Sequence, residues 1–272
     1  MSFDPGSLPA PPAELVALAR PLAEAVAARL VTSLDGAGPA VTSKSTATDL
    51  VTELDTWAEA FLTERLLAAR PGDAVQGEEG ADVAGTSGVT WSIDPIDGTV
   101  NFVHGLPGFC VSIAALVDGR SVAGVVASPL HHDVFTATLG GGAFRNDRPI
   151  SVSSPASVAR SVVGTGFGYD AERRRRQAEV LTRVLPHIAD IRRGGAAAVD
   201  LCSVACGRLD GYWEVGLNPW DHAAGGLVAA EAGATVAGID GGPASDRSIL
   251  AAPAARWDEL AALLVGAAAD QV

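Results

Sequence analysis

One stretch constrains this chain more than any other: Trp91-Ser92-Ile93-Asp94-Pro95-Ile96-Asp97-Gly98-Thr99-Val100-Asn101-Phe102. The apolar run at 89–93 reads as a short buried strand that ends in two carboxylates set around a proline, with a glycine behind them. Pro95 fixes its own φ and restricts Asp94, while Gly98 permits a backbone conformation that a side chain would forbid. A strand followed by a stiff turn is therefore expected to hold both acids rigidly. Acids three residues apart on such a turn can share a cation; an ordinary Asx-type turn uses the same residue types.

The flanking chain supplies helices and an antiparallel sheet. Residues 12–30 place Leu15, Leu18, Ala19, Leu22, Val26 and Leu30 on one helical face. After a break at 35–39 and a short extended segment carrying Lys44, a second helix is predicted from Asp49 to the stop at Pro71-Gly72, with Asp55 in its first turns. Gly77-Glu78-Glu79-Gly80 sets two adjacent carboxylates between glycines, a costly pairing unless a cation or a water network absorbs it; a solvated loop would do so cheaply. The runs 109–117 and 121–128 meet across Asp118-Gly119-Arg120 as a hairpin, and a further strand at 134–139 with its return past Gly140-Gly141-Gly142 extends it.

Beyond Pro155 strands and helices alternate: strands at 162–165, 188–191, 210–215, 234–236 and 248–252, helices at 171–184, 196–206, 219–232 and from 254 on. The expected fold is α+β, a layered αβαβα sandwich in which residues 1–155 form an antiparallel-rich half with most of the acids and residues 156–272 an α/β half. Arg173-Arg174-Arg175-Arg176 is expected to be a solvated helix surface.

A chain of 272 residues, 48% hydrophobic but only 5% aromatic, can bury a globular core of small aliphatic residues. Its net charge of −13 argues against a bare electrostatic grip on nucleic acid or an anionic membrane. With no leader pattern and no apolar run of spanning length, a cytoplasmic protein without a membrane segment is expected. Cys110, Cys202 and Cys206 lack zinc-type spacing and read as buried thiols.

Asp55, Glu78-Glu79 and Asp94/Asp97 are joined by Asp221, which follows Pro219-Trp220 at the start of a Gly/Ala-rich helix. Hard oxygen ligands without histidine or thiolate favour Mg²⁺, with Mn²⁺ possible. Here the chain resembles the inositol monophosphatase family, within the wider fructose-1,6-bisphosphatase-like group of lithium-sensitive Mg²⁺ phosphatases. Four motifs carry the resemblance, in order: Asp49-Leu50-Val51-Thr52-Glu53-Leu54-Asp55, Gly77-Glu78-Glu79, Asp94-Pro95-Ile96-Asp97-Gly98-Thr99 and Trp220-Asp221.

The resemblance implies two or three Mg²⁺ per subunit: one on Glu78, Asp94, the Ile96 carbonyl and Thr99, a second on Asp94, Asp97 and Asp221, with Glu79 as an outer or third-metal carboxylate. It implies that Thr99 and Asp55 orient the attacking water and that Gly98 and Thr99 amides cradle phosphate. Lys44 matches a mobile-loop lysine. On the alcohol side it implies Glu214 as a polyol acceptor, with Gly195 and Ala196 beside it, although Ala196 stands where the family usually has a hydroxyl. Asp200 matches a substrate-side acid, and His104 needs no role.

The activity implied is hydrolysis of a small polyol phosphate, foremost inositol 1-phosphate, by a homodimer with no direct nucleic-acid contact. Fructose 1,6-bisphosphate, histidinol phosphate and 3′-phosphoadenosine nucleotides are alternative substrates, and a regulatory role in a transcription complex is an alternative of another class.

Overall fold

The computed structural model describes residues 8–34, 41–43 and 50–272. Helix α1 (Pro12–Leu34) buries Leu15, Ala19, Val26 and Leu30 of the expected stripe, with Ala23 and Ala27 buried beside them and Leu18 and Leu22 half-buried at the edge. Strands β1 (Val41–Ser43) and β2 (Leu50–Thr52) pair antiparallel. Helix α2 (Glu53–Ala69) begins four residues after the predicted start at Asp49, itself outside the described residues. The reason is local: Thr52 Oγ1 accepts the Leu54 N–H at 3.1 Å, while Asp55 accepts the Thr52 N–H at 2.8 Å and its hydroxyl at 2.6 Å. That reciprocal cap holds Thr52 extended and starts the helix after it.

Strands β3 (Ala74–Gly77), β4 (Asp82–Val83) and β5 (Val89–Asp97) are followed by the single-turn helix α3 (Thr99–Val103). Then come β6 (Cys110–Val117), β7 (Arg120–Ser128), β8 (Asp133–Thr138), β9 (Gly142–Arg145) and β10 (Arg148–Pro149). They form a sheet in the order β10-β9-β8-β7-β6-β5-β3-β4, antiparallel throughout except where β3 runs parallel to β5. The expected turn at Asp94-Pro95 is instead a bulge within β5. Asp94 pairs with Ser112 and Asp97 with Cys110, so three steps on β5 face two on β6. Pro95 is accommodated there because the bulge needs no amide from it.

The second half contains β11 (Val162–Thr165), α4 (Ala171–Val184), β12 (Asp190–Arg192), α5 (Ala197–Ala205), β13 (Gly211–Glu214), α6 (Pro219–Glu231), β14 (Ala234–Ala237), β15 (Ile249–Pro253) and α7 (Ala254–Gly266). The sheet order is β12-β11-β13-β15-β14. Its faces alternate as a pleat requires: Tyr212, Ile249 and Ala251 pack inward with α5 and α6, whereas Trp213, Leu250 and Ala252 pack outward with α4 and α7. Helices α1 and α2 cover the far side of the eight-stranded sheet, and α5 and α6 lie between the two sheets. The result is the layered αβαβα sandwich.

Close approach within the central layer depends on glycine. A Cβ on Gly225 of α6 would lie 2.9 Å from the Ala198 carbonyl oxygen and 2.9 Å from the Leu201 Cβ of α5. At the edge of the same layer Asp133, 1% exposed, accepts from Arg145 at 2.6 Å and Arg208 at 2.7 Å, joining β8, β9 and the turn after α5. Among the described residues no helix is long and apolar enough to cross a membrane.

Candidate active site

The bulge of β5 aims the chain's acids into a pocket of about 460 Å³ that opens between the N-termini of α5 and α6. Glu78, Asp94, Ile96, Asp97, Gly98, Thr99 and Asp221 all line it. They arrive from four places: Glu78 from the loop after β3, Asp94, Ile96 and Asp97 from β5, Gly98 and Thr99 from the start of α3, and Asp221 from α6. Glu78 follows β3, and its loop is fastened from behind by Glu59 of α2, whose carboxylate accepts the Glu79 N–H at 2.7 Å and the Ala81 N–H at 2.8 Å. Asp94 accepts the Ile96 N–H at 3.0 Å. Asp97 accepts the Ala197 and Ala198 amides at 3.2 and 2.7 Å, so it caps the N-terminus of α5, whose dipole favours its charge. Asp221 accepts the Asn218 N–H at 2.7 Å in the first turn of α6.

Gly98 has φ +89°, and a Cβ there would come 2.9 Å from the Gly108 carbonyl, so both the turn and the packing demand glycine. Asn101 donates to the Gly108 and Gly194 carbonyls at 2.9 and 2.8 Å, tying the segment after β5 to the loop before α5.

These carboxylates are held against their preference. Burial raises Asp94 well above the usual carboxylate range, and Glu78, Asp97 and Asp221 raise it further by charge repulsion. Burial and Asp221 do the same to Asp97, opposed by the Ala198 amide. Asp94 also shares a hydrogen bond with Glu78, which two carboxyl groups manage only with a proton between them. A cation could replace that proton and relieve the repulsion, so the donor set is of the kind that suits a hard divalent ion. As the side chains stand, no three acid, imidazole or thiol groups among the described residues converge closely enough to form a finished metal cage.

Behind the pocket, Thr99 Oγ1 lies 3.2 Å from Asp55 Oδ1 and 3.0 Å from the Ile96 carbonyl, so its one hydrogen serves either acceptor. Asp55 is fully buried, and burial raises its pKa against the hydrogen bonds from Thr52 and Thr99. Glu79 follows Glu78 on the loop but does not line the pocket. Lys44 lies outside the described residues.

At the other end stand Glu214, Gly195 and the segment 166–170. The Tyr212 hydroxyl donates to Glu214, whose pKa burial raises. Ala196 is buried and packs against Gly98, while Ala197 reaches the pocket wall. Asp200 accepts from the Gly194 and Gly195 amides; burial first, then Glu214, pushes its pKa up to about 7. His104 is exposed and away from the pocket. Cys110 and Cys202 are buried thiols, as expected, and Cys206 is half-buried.

Arg173, Arg193 and Glu59 gave no sign of a role in the site from sequence alone. The arginine run is only partly a solvated surface: Arg174, Arg175 and Arg176 are exposed, but Arg173 turns into the pocket. Arg193 lines the same end. The signal for Arg173 would have been the two glycines it lies across, Gly168 and Gly216, which only the fold brings together. Glu59, hidden on a helix, left no signal.

A model of the inositol monophosphatase family matches residues 12–270. The chain belongs to the inositol monophosphatase family. Inositol-1-monophosphatase SuhB of Mycobacterium tuberculosis is 50% identical to it over 211 residues, 74% of this chain and 72% of that protein. Nus factor SuhB of Pasteurella multocida is 43% identical over 203 residues, 74% of this chain and 76% of that protein. The crystal structure of the extragenic suppressor protein suhB from Bartonella henselae shares the fold, with a TM-score of 0.87 at 36% identity, covering 92% of this chain and 98% of that one. Members of the inositol monophosphatase family are phosphoric monoester hydrolases, and this chain is one of them.

Proposed function

We propose that the chain is a Mg²⁺-dependent phosphomonoesterase that hydrolyses inositol 1-phosphate, or a closely similar small polyol phosphate, to the alcohol and inorganic phosphate. The observation that carries this reading is the single pocket shared by Glu78, Asp94, Asp97, Thr99 and Asp221, with Asp55 hydrogen-bonded behind Thr99. Glu78, Asp94, the Ile96 carbonyl, Asp97 and Asp221 would hold two or three Mg²⁺, with Mn²⁺ as a substitute. Mg²⁺ so placed neutralises the phosphate, makes water more acidic and stabilises the departing oxygen.

The chain's own groups do the rest. When Thr99 donates to Asp55, a lone pair of its oxygen is left to accept a hydrogen from water and aim that water at phosphorus. Asp55, its pKa raised by burial, is suited to draw the proton through Thr99. The phosphorus–alcohol bond breaks as the new one forms, and the leaving oxygen takes a proton. Amides at Gly98 and Thr99 face the phosphate oxygens, and Glu214 accepts hydrogen bonds from substrate hydroxyls with Gly195 beside it.

Asp94→Asn should lower phosphate release from inositol 1-phosphate in Mg²⁺ at least 10³-fold with the circular dichroism spectrum unchanged; retained turnover would refute the ligand assignment. Family likeness also supports a homodimer, which light scattering would test. A second reading, a partner in a transcription complex, is favoured by the name of the Pasteurella relative, Nus factor SuhB. The net charge of −13 points that reading to a protein partner rather than RNA. Capture of a transcription protein by the inactive Asp94→Asn chain would support it.

A further inference from the structure

The alcohol end of the pocket carries more positive charge than a neutral polyol requires. Arg173, in the first turn of α4, lies across the bare backbones of two glycines. Its Cδ is 3.0 Å from where a Gly168 Cβ would stand, and its guanidinium nitrogens are 2.2 and 2.3 Å from where a Gly216 Cβ would stand. In this placement the guanidinium occupies the space that a Gly216 side chain would fill, and Gly216, at φ +81°, needs glycine for its backbone as well. The Arg173 Nε–H is buried there with no acceptor. A second orphan donor, the Trp220 Nε1–H, is buried in the wall of the same pocket.

Glu214 is near enough to feel the charges of both Arg173 and Arg193, but takes its hydrogen bond from Tyr212. Arg173 is half-buried with its Nε–H unsatisfied, yet it lines the pocket, and an anion entering there can take paired hydrogen bonds from its terminal guanidinium nitrogens. We infer that Arg173 is a specificity-determining residue that receives a second anionic group, a phosphate or carboxylate, on the alcohol portion of the substrate. Arg193, exposed at the mouth of the same end, adds charge that draws such a group inward.

This inference rests on the phosphatase reading and extends it: among polyol phosphates that the site accepts, those that bear a second anionic group are preferred. Two matched pairs test it: inositol 1-phosphate against inositol 1,4-bisphosphate, and fructose 1-phosphate against fructose 1,6-bisphosphate, in the wild-type chain and in Arg173→Gln. The expected result is a wild-type preference in kcat/KM of at least tenfold for the bisphosphate of one pair, expressed mainly in KM, which Arg173→Gln abolishes and Arg173→Lys restores in part. Equal rates within both pairs, or an equal loss on both members in Arg173→Gln, overturns the inference while leaving the phosphatase reading intact. No phosphate release from any of the four by the wild-type chain would overturn both.

Discussion

Replacing Asp200 with Asn should stabilise the protein at alkaline pH and do little for it in acid. Asp200 is buried on α5, and its pKa rises from 3.8 to about 7. The unfolded chain therefore releases this proton first, and between those two values the native state binds more protons than the unfolded one. Stability attributable to Asp200 is thus full below pH 4, falls as pH rises to about 7, and is level above that. Roughly three pH units at about 1.4 kcal/mol each put the loss near 4 kcal/mol at pH 8, against about 1.5 kcal/mol at pH 5.

Asn keeps an acceptor for the Gly194 and Gly195 amides, and any fixed cost of the exchange is the same at both pH values. The stability gap between Asp200→Asn and wild type should therefore widen in the variant's favour by about 2–3 kcal/mol from pH 5 to pH 8. For a chain of this size that is roughly 4–12 °C in Tm. Paired thermal melts at the two pH values, followed by circular dichroism, measure it. A gap that stays constant with pH would refute the reasoning, because it would mean that Asp200 is ionised in the folded protein.

Three further outcomes follow from the geometry. Thr99→Ala should lower kcat about 10²-fold, and adding Asp55→Asn should cost much less than its effect alone, because both act on one proton path; additive losses in steady-state kinetics would contradict that. Asp133→Ala strands Arg145 and Arg208, both partly solvated, and should destabilise by about 2–3 kcal/mol in urea unfolding, with a change below 0.5 kcal/mol speaking against a structural latch. Gly98→Ala forces a left-handed backbone and a clash with the Gly108 carbonyl, so it should cost about 2–4 kcal/mol and most of the activity, read from unfolding curves and phosphate release on the same preparation.

Much of this was legible in the sequence because it is local. The helix at Ala171–Val184 and the strand at Val162–Thr165 begin and end where caps and apolar runs put them. The acids of the pocket were legible because four acid-bearing motifs occur in one order along the chain, although a single carboxylate beside proline and glycine is ordinary turn chemistry. What escaped depended on tertiary context. The end of β5 was misread because Pro95 signals a turn locally, yet pairing with β6 carries the strand through it as a bulge. The start of α2 was misplaced because β2 holds Leu50–Thr52 extended until Thr52 can cap. Four consecutive arginines give no sign that it is Arg173 that turns back over Gly168 to meet Gly216.

Gly225 touches neither pocket nor solvent, yet it sets how far apart two of the pocket's acids stand. Asp97 is moored to the first amides of α5 and Asp221 rides on the first turn of α6, so the separation of the acids follows the separation of the two helices. One methyl group at Gly225 would wedge those helices apart from the rear. If these acids hold a divalent ion as proposed, its affinity can be altered by a residue that no inspection of the pocket would select, and variation at this buried seam is a route by which metal dependence could drift while every pocket acid is kept.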